Sequence, residues 1–324
     1  MTGLGHILIA AHRDHGGGID AAAARYGGAR FDWIDLSTGI NPLPYPVGEI
    51  PENAWAALPD KTAEQALVAA ARQFWNVPQS AGLVAAPGAS CLIAKIPGLQ
   101  PHGTVAIPGP TYNEHAAAFD GHGWQVQSTG PADAQVVVNP NNPDGRIWST
   151  QTLPAPDAPI TIIDESFCDI NPAATMMHQA GQPGTIILKS FGKFWGLAGL
   201  RLGFAIGDPV LITKLKEVLG PWPVAGPALH IGARALRDLD WAAQTRARLA
   251  RDSTTLDTLM TAAGADLVGG TSLFRLYHVD DATRWQTKLA QHHIWTRRFP
   301  YNPNWLRLGL PRAGQWDRLK VALS

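Results

Sequence analysis

One short segment constrains this chain more than any other: Ser190-Phe191-Gly192-Lys193-Phe194-Trp195-Gly196-Leu197-Ala198-Gly199-Leu200-Arg201. Its lysine follows a serine by three residues and precedes an arginine by eight, and apolar runs on both sides predict strands. A lysine in this setting can form a Schiff base with an aldehyde, and a serine and an arginine can together hold a phosphate. The segment therefore predicts a site for covalent catalysis at the end of a strand.

Length and composition favour a large α/β protein. Of the 324 residues, 45% are hydrophobic and 16% are charged, so the chain can bury a sizeable core. Lys plus Arg and Asp plus Glu balance at 26 each, which gives no positive field for nucleic acid. Two cysteines fit a reducing compartment. Because the sequence has neither a membrane-length apolar run nor a signal-peptide pattern, we expect a cytoplasmic protein that binds no nucleic acid and no membrane.

Short β-rich runs alternate with helical patterns, which predicts a mostly parallel central sheet with helices on both faces. A predicted helix at 62–75 precedes strands at 83–85, 105–107, 136–139, 160–164, 185–188 and 202–206. After residue 220 the pattern changes to one long helical stretch at 227–263, followed by shorter elements at 272–277, 282–291, 294–299 and 305–310. We expect a large domain at 46–220 and a smaller α+β domain in which the loop-like residues 1–45 pack with residues 221–324.

Four polar positions follow or end the predicted strands. Pro87-Gly88-Ala89-Ser90 opens an apolar helix, where backbone N–H groups can bind phosphate. Tyr112 can stack on an aromatic ring, and Asn142 lies in an Asn-Pro run of the kind that forms turns. Asp164 ends a strand, and a buried carboxylate there needs a cationic partner. Each feature alone is common, and only their order along the chain is distinctive.

That order resembles the pyridoxal-phosphate-dependent class I/II aminotransferase superfamily, of fold type I, over nearly the whole chain. The resemblance implies pyridoxal 5'-phosphate bound to Lys193, with Asp164 at its ring nitrogen, Asn142 at its ring oxygen and Tyr112 against its ring. The implied phosphate-binding residues are Gly88, Ala89, Ser90, Ser190 and Arg201. The family also implies a homodimer, because its active sites lie at the subunit interface.

The outer segments imply a substrate that carries both a carboxylate and a phosphate. Arg307 occupies the position of the superfamily's carboxylate-binding arginine, whose fork suits a planar carboxylate. The segment 294–299 resembles that in which histidinol-phosphate aminotransferases place an arginine for phosphate; Arg297 is the first candidate and Arg298 the second. His15-Gly16-Gly17-Gly18, followed by the run that contains Asn41, resembles the opening of the threonine-phosphate decarboxylases, which implies substrate contacts for His15 and Asn41.

The implied activity is decarboxylation of L-threonine O-3-phosphate to (R)-1-amino-2-propanol O-2-phosphate, a step of cobalamin synthesis. A histidinol-phosphate-type aminotransferase is the alternative, since the same residues serve both reactions. A non-catalytic binding domain of this family could lose Lys193 or Asp164, and this chain keeps both. The His-Gly-Gly-Gly run also resembles an esterase oxyanion loop, but the chain has no Gly-x-Ser-x-Gly elbow. His6, His12 and His15 lack ligand-type spacing with Cys or carboxylates, so we predict no metal.

Two positions depart from the family pattern. Phe167 stands where many aminotransferases have a tyrosine that donates to the ring oxygen, although a phenylalanine is common in the decarboxylase branch. Leu58 stands where relatives carry a tyrosine that reaches the partner subunit's cofactor phosphate, and leucine cannot donate a hydrogen bond. Tyr45 is a candidate to replace that tyrosine.

Overall fold

The computed structural model describes residues 15–324. The α-helices in this part of the chain are α1 (Ile19–Tyr26), α2 (Glu52–Ala56), α3 (Lys61–Phe74), α4 (Ala89–Lys95), α5 (Asn113–Gly121), α6 (Pro209–Leu219), α7 (Gly226–Ala235), α8 (Leu239–Ala262), α9 (Ala282–Gln291) and α10 (Trp316–Leu323). The strands are β1 (Ile34–Asp35), β2 (Gly82–Ala86), β3 (Thr104–Ala106), β4 (Gln125–Gln127), β5 (Ala134–Val138), β6 (Ile160–Asp164), β7 (Thr185–Ser190), β8 (Gly203–Gly207), β9 (Asp266–Thr271), β10 (Phe274–His278), β11 (Ile294–Trp295), β12 (Arg297–Phe299) and β13 (Asn302–Gly309).

The central sheet has seven strands in the order β2-β8-β7-β6-β5-β3-β4. Only β8 runs antiparallel to its neighbours, which confirms the prediction of a mostly parallel sheet. Its inner strands are continuous apolar runs because both of their faces are covered. Alternate residues of these strands enter two cores: Val137, Ile163 and Ile187 face one, and Val136, Ile162 and Ile186 face the other.

A second, antiparallel sheet has the order β12-β13-β10-β9 and is formed entirely by residues after 265. The beginning of the described chain contacts this part of the molecule. β1 pairs in parallel with β11, through Ile34 with Ile294 and Asp35 with Trp295. Trp295 also donates its indole N–H to the carbonyl of Gly17 at 2.9 Å. The glycine-rich segment before α1 is thereby held beside β11.

Three sequence predictions differ from the structure. The long helical stretch at 227–263 is two helices, α7 and α8, because the Asp238 side chain accepts a hydrogen bond from the Trp241 N–H at 3.0 Å and begins a new helix. The segment 1–45 contains a helix, α1, whose short alanine-rich sequence buries only Ile19 and Ala22. The edge strands β4 and β9 have no counterpart among the predicted strands, since their partly exposed, polar or glycine-containing sequences lack an apolar run.

No helix within residues 15–324 is long and apolar enough to cross a membrane.

A buried ionic cluster lies beneath the turn after β7. Lys189 is 2% exposed, and its Nζ lies 2.6 Å from Glu165 Oε2 and 3.5 Å from Asp169 Oδ1. Burial alone lowers the pKa of Lys189, but the charges of Glu165 and Asp169 outweigh burial and raise it above the usual value. Asp169 also accepts from the indoles of Trp75 and Trp195, at 2.8 and 3.0 Å. The cluster therefore connects β6 and β7 to the segment that carries Lys193.

We expect Lys189→Met to lower the free energy of unfolding by about 3 kcal/mol, because it leaves Glu165 buried without its cation. Urea denaturation of the cofactor-free protein measures the change. Lys216→Met, on the exposed side of α6, is the matched control and should change stability by less than about 0.5 kcal/mol. Equal stability of the two variants would contradict a structural role for the cluster.

Candidate active site

The polar residues singled out in the sequence meet at the carboxyl edge of the central sheet. The strands β5, β6 and β7 are parallel and in register, so Val138 pairs with Asp164 and Asp164 with Leu188. The segments that follow these strands, and those that follow β2 and β3, surround a cavity of about 110 Å³. Its lining contains eight of the predicted cofactor residues: Ala89, Ser90, Tyr112, Asn142, Asp164, Ser190, Lys193 and Arg201.

One side of this cavity is a set of phosphate-type donors. Gly88 has φ +86°, a backbone conformation that favours glycine, and the Arg201 guanidinium lies close to this turn. Gly203 has no room for a side chain, since its Cβ would lie 2.4 Å from the Ala89 nitrogen. The first N–H groups of α4 have no acceptor within the helix. Together with the Ser90 and Ser190 hydroxyls and Arg201, they can surround a phosphate.

Asp164 supplies a buried negative charge in the lining of the same cavity. Its Oδ2 lies 2.9 Å from His115 Nε2, and its Oδ1 accepts from the Ser166 N–H at 2.9 Å. Burial alone raises the pKa of Asp164, but these hydrogen bonds and the neighbouring His115 outweigh it and lower the pKa below the usual value. Asp164 is therefore an anion that can face a protonated ring nitrogen.

His115 is a functional residue that the sequence reasoning missed. It lies on α5 one helical turn after Tyr112, and its ring is buried against both Tyr112 and Asp164. The spacing Tyr112-x-x-His115 could have indicated that His115 lies beside Tyr112, because residues three apart share one face of a helix. Its partner is 49 residues away, so the pairing becomes visible only when the strand order is known.

Lys193 lies between this carboxylate and several arginines. Burial, followed by the positive charge of Arg307, lowers the pKa of Lys193 to about 8, and Asp164 opposes the shift. Smaller contributions in the same direction come from Arg297 and Arg201. The Nζ lies 5.2 Å from the centre of the Phe167 ring. A neutral amine is thus accessible near physiological pH, as a Schiff-base lysine requires.

Asn142, which lines the cavity, contacts the buried Arg307. Arg307 is 4% exposed; it donates from Nη1 to the amide oxygen of Asn142 and from Nη2 to the Ser37 carbonyl at 2.8 Å. Because the amide oxygen of Asn142 accepts from Arg307, its amide nitrogen is the end that can donate to a ring oxygen.

A second, larger cavity of about 510 Å³ contains the outer predicted residues, and its His15 ring lies 6.3 Å from the ring of Tyr112 in the first cavity. His15, Arg297 and Arg298 all line it, and so does Arg25 of α1, which the sequence reasoning did not single out. His15 Nε2 lies 2.9 Å from Glu114 Oε1. Arg298 is bound on α9 by Gln286 at 2.6 Å and by Thr283 at 2.7 Å. Arg297 is less exposed than Arg298, and its positive charge contributes to lowering the pKa of Lys193.

Two predicted residues lie elsewhere. The side chain of Asn41 is 2% exposed, and it bonds to the Phe194 carbonyl, the Leu43 N–H and Arg248 instead of lining either cavity; its contact with a substrate stays a prediction. Tyr45 is 3% exposed and packs on Trp195, so it cannot reach a partner's cofactor, whereas Leu58 is 68% exposed. His6 and His12 lie outside the described residues. Within residues 15–324 no group of three or more His, Cys, Asp or Glu side chains could hold a metal ion.

An amine, a buried carboxylate and a phosphate-binding turn around one cavity fit pyridoxal phosphate, and the two constrained glycines fit the close approach of its phosphate. The family model for aminotransferase class I and II matches residues 32–323, so the chain belongs to this family.

Among curated proteins, the chain is 42% identical to a threonine-phosphate decarboxylase from Sinorhizobium sp. and 38% identical to one from Pseudomonas aeruginosa. Each alignment covers 96% of this chain and 97% of the relative. Among solved structures, the fold is similar to that of histidinol-phosphate aminotransferase from Sinorhizobium meliloti in complex with pyridoxal-5'-phosphate. That similarity has a TM-score of 0.80 at 16% identity and covers 94% of this chain and 93% of the other.

Proposed function

We propose that this chain decarboxylates L-threonine O-3-phosphate to (R)-1-amino-2-propanol O-2-phosphate with pyridoxal 5'-phosphate as cofactor, a reaction that would supply cobalamin synthesis. The observation that carries the proposal is the pair of cationic regions beside Lys193: Arg307, and the cavity lined by His15 and Arg297. A substrate with a carboxylate and a phosphate on either side of an amine matches this arrangement. The near full-length similarity to two threonine-phosphate decarboxylases supports the same reaction.

Each protein group has a role that follows from its position. Arg307 and the outer cavity hold the two anionic ends of the substrate, and this sets which bond of the α-carbon is placed to break. Pyridoxal phosphate, when bound, would supply an electron sink for the loss of carbon dioxide. Asp164 keeps a negative charge beside the ring nitrogen, and Lys193 Nζ delivers a proton to the α-carbon that has lost its carboxylate. Phe167, 4% exposed and packed on Phe274, keeps water from this side.

One assay tests the proposal against an aminotransferase. The enzyme is supplied with threonine phosphate or with histidinol phosphate, each with and without 2-oxoglutarate, and carbon dioxide and amino transfer are both measured. We expect carbon dioxide from threonine phosphate with no keto-acid acceptor. Turnover of histidinol phosphate only in the presence of 2-oxoglutarate, with no carbon dioxide from threonine phosphate, would replace the proposal with the aminotransferase reaction.

Replacement of the two neighbouring arginines of β12 should have very different effects on KM for threonine phosphate. We expect Arg297→Gln to raise KM for threonine phosphate about tenfold to a hundredfold, since a charge-assisted hydrogen bond contributes about 1.5–3 kcal/mol. Arg298→Gln should change KM by less than about twofold, because Arg298 is bound to Gln286 and Thr283. Steady-state kinetics, with unphosphorylated threonine as the reference substrate, measure both. The reverse order of effects would assign the phosphate to Arg298.

We also propose that the chain works as a cytoplasmic homodimer. Support comes from several large apolar side chains that are more than half exposed: Leu43, Trp55, Leu58 and Trp222. Trp55 lies on α2, which packs against α7, and Trp222 lies four residues before α7. Both cysteines, Cys91 and Cys168, are free thiols, as in a reducing compartment. Sedimentation equilibrium of the cofactor-loaded protein tests the assembly, and a monomeric mass at micromolar concentration would contradict it.

A further inference from the structure

The turn that carries Lys193 is held along its backbone by a segment more than 140 residues earlier in the chain. The Asn41 N–H donates to the Lys193 carbonyl at 3.0 Å, and its side-chain Nδ2 donates to the Phe194 carbonyl at 2.8 Å. The Tyr45 N–H donates to the Trp195 carbonyl at 2.9 Å. Three successive carbonyls, beginning with that of the lysine itself, are therefore bound by residues 41–45.

The amide of Asn41 is held in one orientation by its other partners. Its Oδ1 accepts from the Leu43 N–H at 3.0 Å and from Arg248 Nη2 at 2.7 Å. Arg248 is itself paired with Asp252 at 3.2 Å, one turn further along α8. Because two donors face the oxygen, the nitrogen must face the Phe194 carbonyl. A carboxylate at this position would turn that donor into an acceptor aimed at a carbonyl.

The same segment also reaches the group assigned to the substrate carboxylate. Four residues before Asn41, the Ser37 carbonyl accepts from Arg307 Nη2 at 2.8 Å. Between them, Gly39 leaves no space for a side chain, since its Cβ would lie 2.8 Å from Phe274 and 3.0 Å from Phe167. Residues 37–45 thus connect Arg307 to the backbone of Lys193, with Ser37, Gly39, Asn41 and Tyr45 buried along the way.

We infer that Asn41 and Arg248 are a positioning pair, which sets the place of the Lys193 amine relative to the substrate's α-carbon and does not bind the substrate. The inference rests on the proposed function for the identity of that substrate, but the position of the lysine can be measured without it. A displacement of about 1 Å at a reacting group costs up to about a hundredfold in rate. A positioning role therefore predicts a loss in kcat, whereas a binding role predicts a rise in KM.

The test compares Asn41→Asp with Asn304→Asp. Like Asn41, Asn304 donates through Nδ2 to backbone carbonyls, in this case those of Val279 and Asp280. It lies in the second sheet. We expect Asn41→Asp to lower kcat about tenfold to a hundredfold, with KM changed less than about twofold. It should also shift the pH midpoint at which the lysine-bound cofactor changes its absorption. Asn304→Asp should leave kcat and this midpoint within experimental error, whatever its effect on the unfolding of the cofactor-free protein.

Arg248 provides a second, independent set of variants. Arg248→Lys keeps a donor toward Asn41 and should retain most of the wild-type kcat, whereas Arg248→Met should show the same loss and the same shift in midpoint as Asn41→Asp. An unchanged kcat and midpoint in both Asn41→Asp and Arg248→Met, or a tenfold rise in KM alone, would overturn the inference. If wild-type enzyme releases no carbon dioxide from threonine phosphate, the proposed function fails, but the midpoint and borohydride trapping of the lysine-bound cofactor still decide the role of Asn41.

Discussion

Replacement of Lys193 by alanine is expected to lower kcat for decarboxylation by at least about 10⁴-fold. In the proposed reaction the amine is both the attachment point for the cofactor and the proton donor, and proton transfer alone contributes about 10²–10⁴-fold. The structure supports this assignment because burial and Arg307 lower the pKa of Lys193 to about 8, which makes the neutral amine available. Carbon dioxide release from threonine phosphate measures the loss, and the absorption of the lysine-bound cofactor near visible wavelengths should disappear.

The control for this experiment is a lysine outside the site. Lys216→Ala, on the exposed side of α6, should retain wild-type kcat and the absorption band. Borohydride followed by mass analysis should add the cofactor to a peptide that contains Lys193 in both wild type and Lys216→Ala, and to no peptide in Lys193→Ala. Survival of the band in Lys193→Ala would mean that another amine holds the cofactor, and the assignment would then be wrong.

The inner site could be predicted from the sequence because its residues follow strands that are themselves easy to recognise. Asp164 ends the apolar run at 160–164, whereas Asn142 and Lys193 follow the runs at 136–139 and 185–188 within a few residues, and parallel strands bring such ends to one edge. The structure places all three around one cavity. Few other kinds of site place an asparagine, an aspartate and a lysine after successive strands in that order.

The residues that support the site could not be predicted in this way. His115 and Asn41 act through partners 49 and 153 residues away, and no local spacing indicates such a pairing. Asn41 lies in a segment whose resemblance to decarboxylases implies a substrate contact, but in the structure its amide bonds to the Phe194 carbonyl, the Leu43 N–H and Arg248. Local patterns report which groups are present, whereas their partners depend on how distant segments pack.

Asp164→Asn should be the most damaging isosteric change in the site. The carboxylate is buried, and His115 and Ser166 hold its pKa below the usual value, so it is available as an anion for the cofactor's ring nitrogen. An amide of the same shape removes that charge. Loss of one partner of a buried ion pair costs about 3–5 kcal/mol, which corresponds to a fall in kcat of roughly 10²–10⁴-fold. Kinetics at saturating pyridoxal phosphate separate this loss from weaker cofactor binding.

Two further variants distinguish the charge of Asp164 from its packing. His115→Gln keeps a hydrogen-bond donor to the carboxylate and should cost no more than about tenfold in kcat, since a hydrogen bond to a charged group contributes about 1.5–3 kcal/mol and part of it remains. Asp120→Asn, at the exposed end of α5, should leave kcat unchanged. If Asp164→Asn kept more than a tenth of wild-type kcat, the ring nitrogen would not depend on this carboxylate. A loss as large in His115→Gln as in Asp164→Asn would instead show that the hydrogen-bonded pair, and not the charge of Asp164 alone, sustains the reaction.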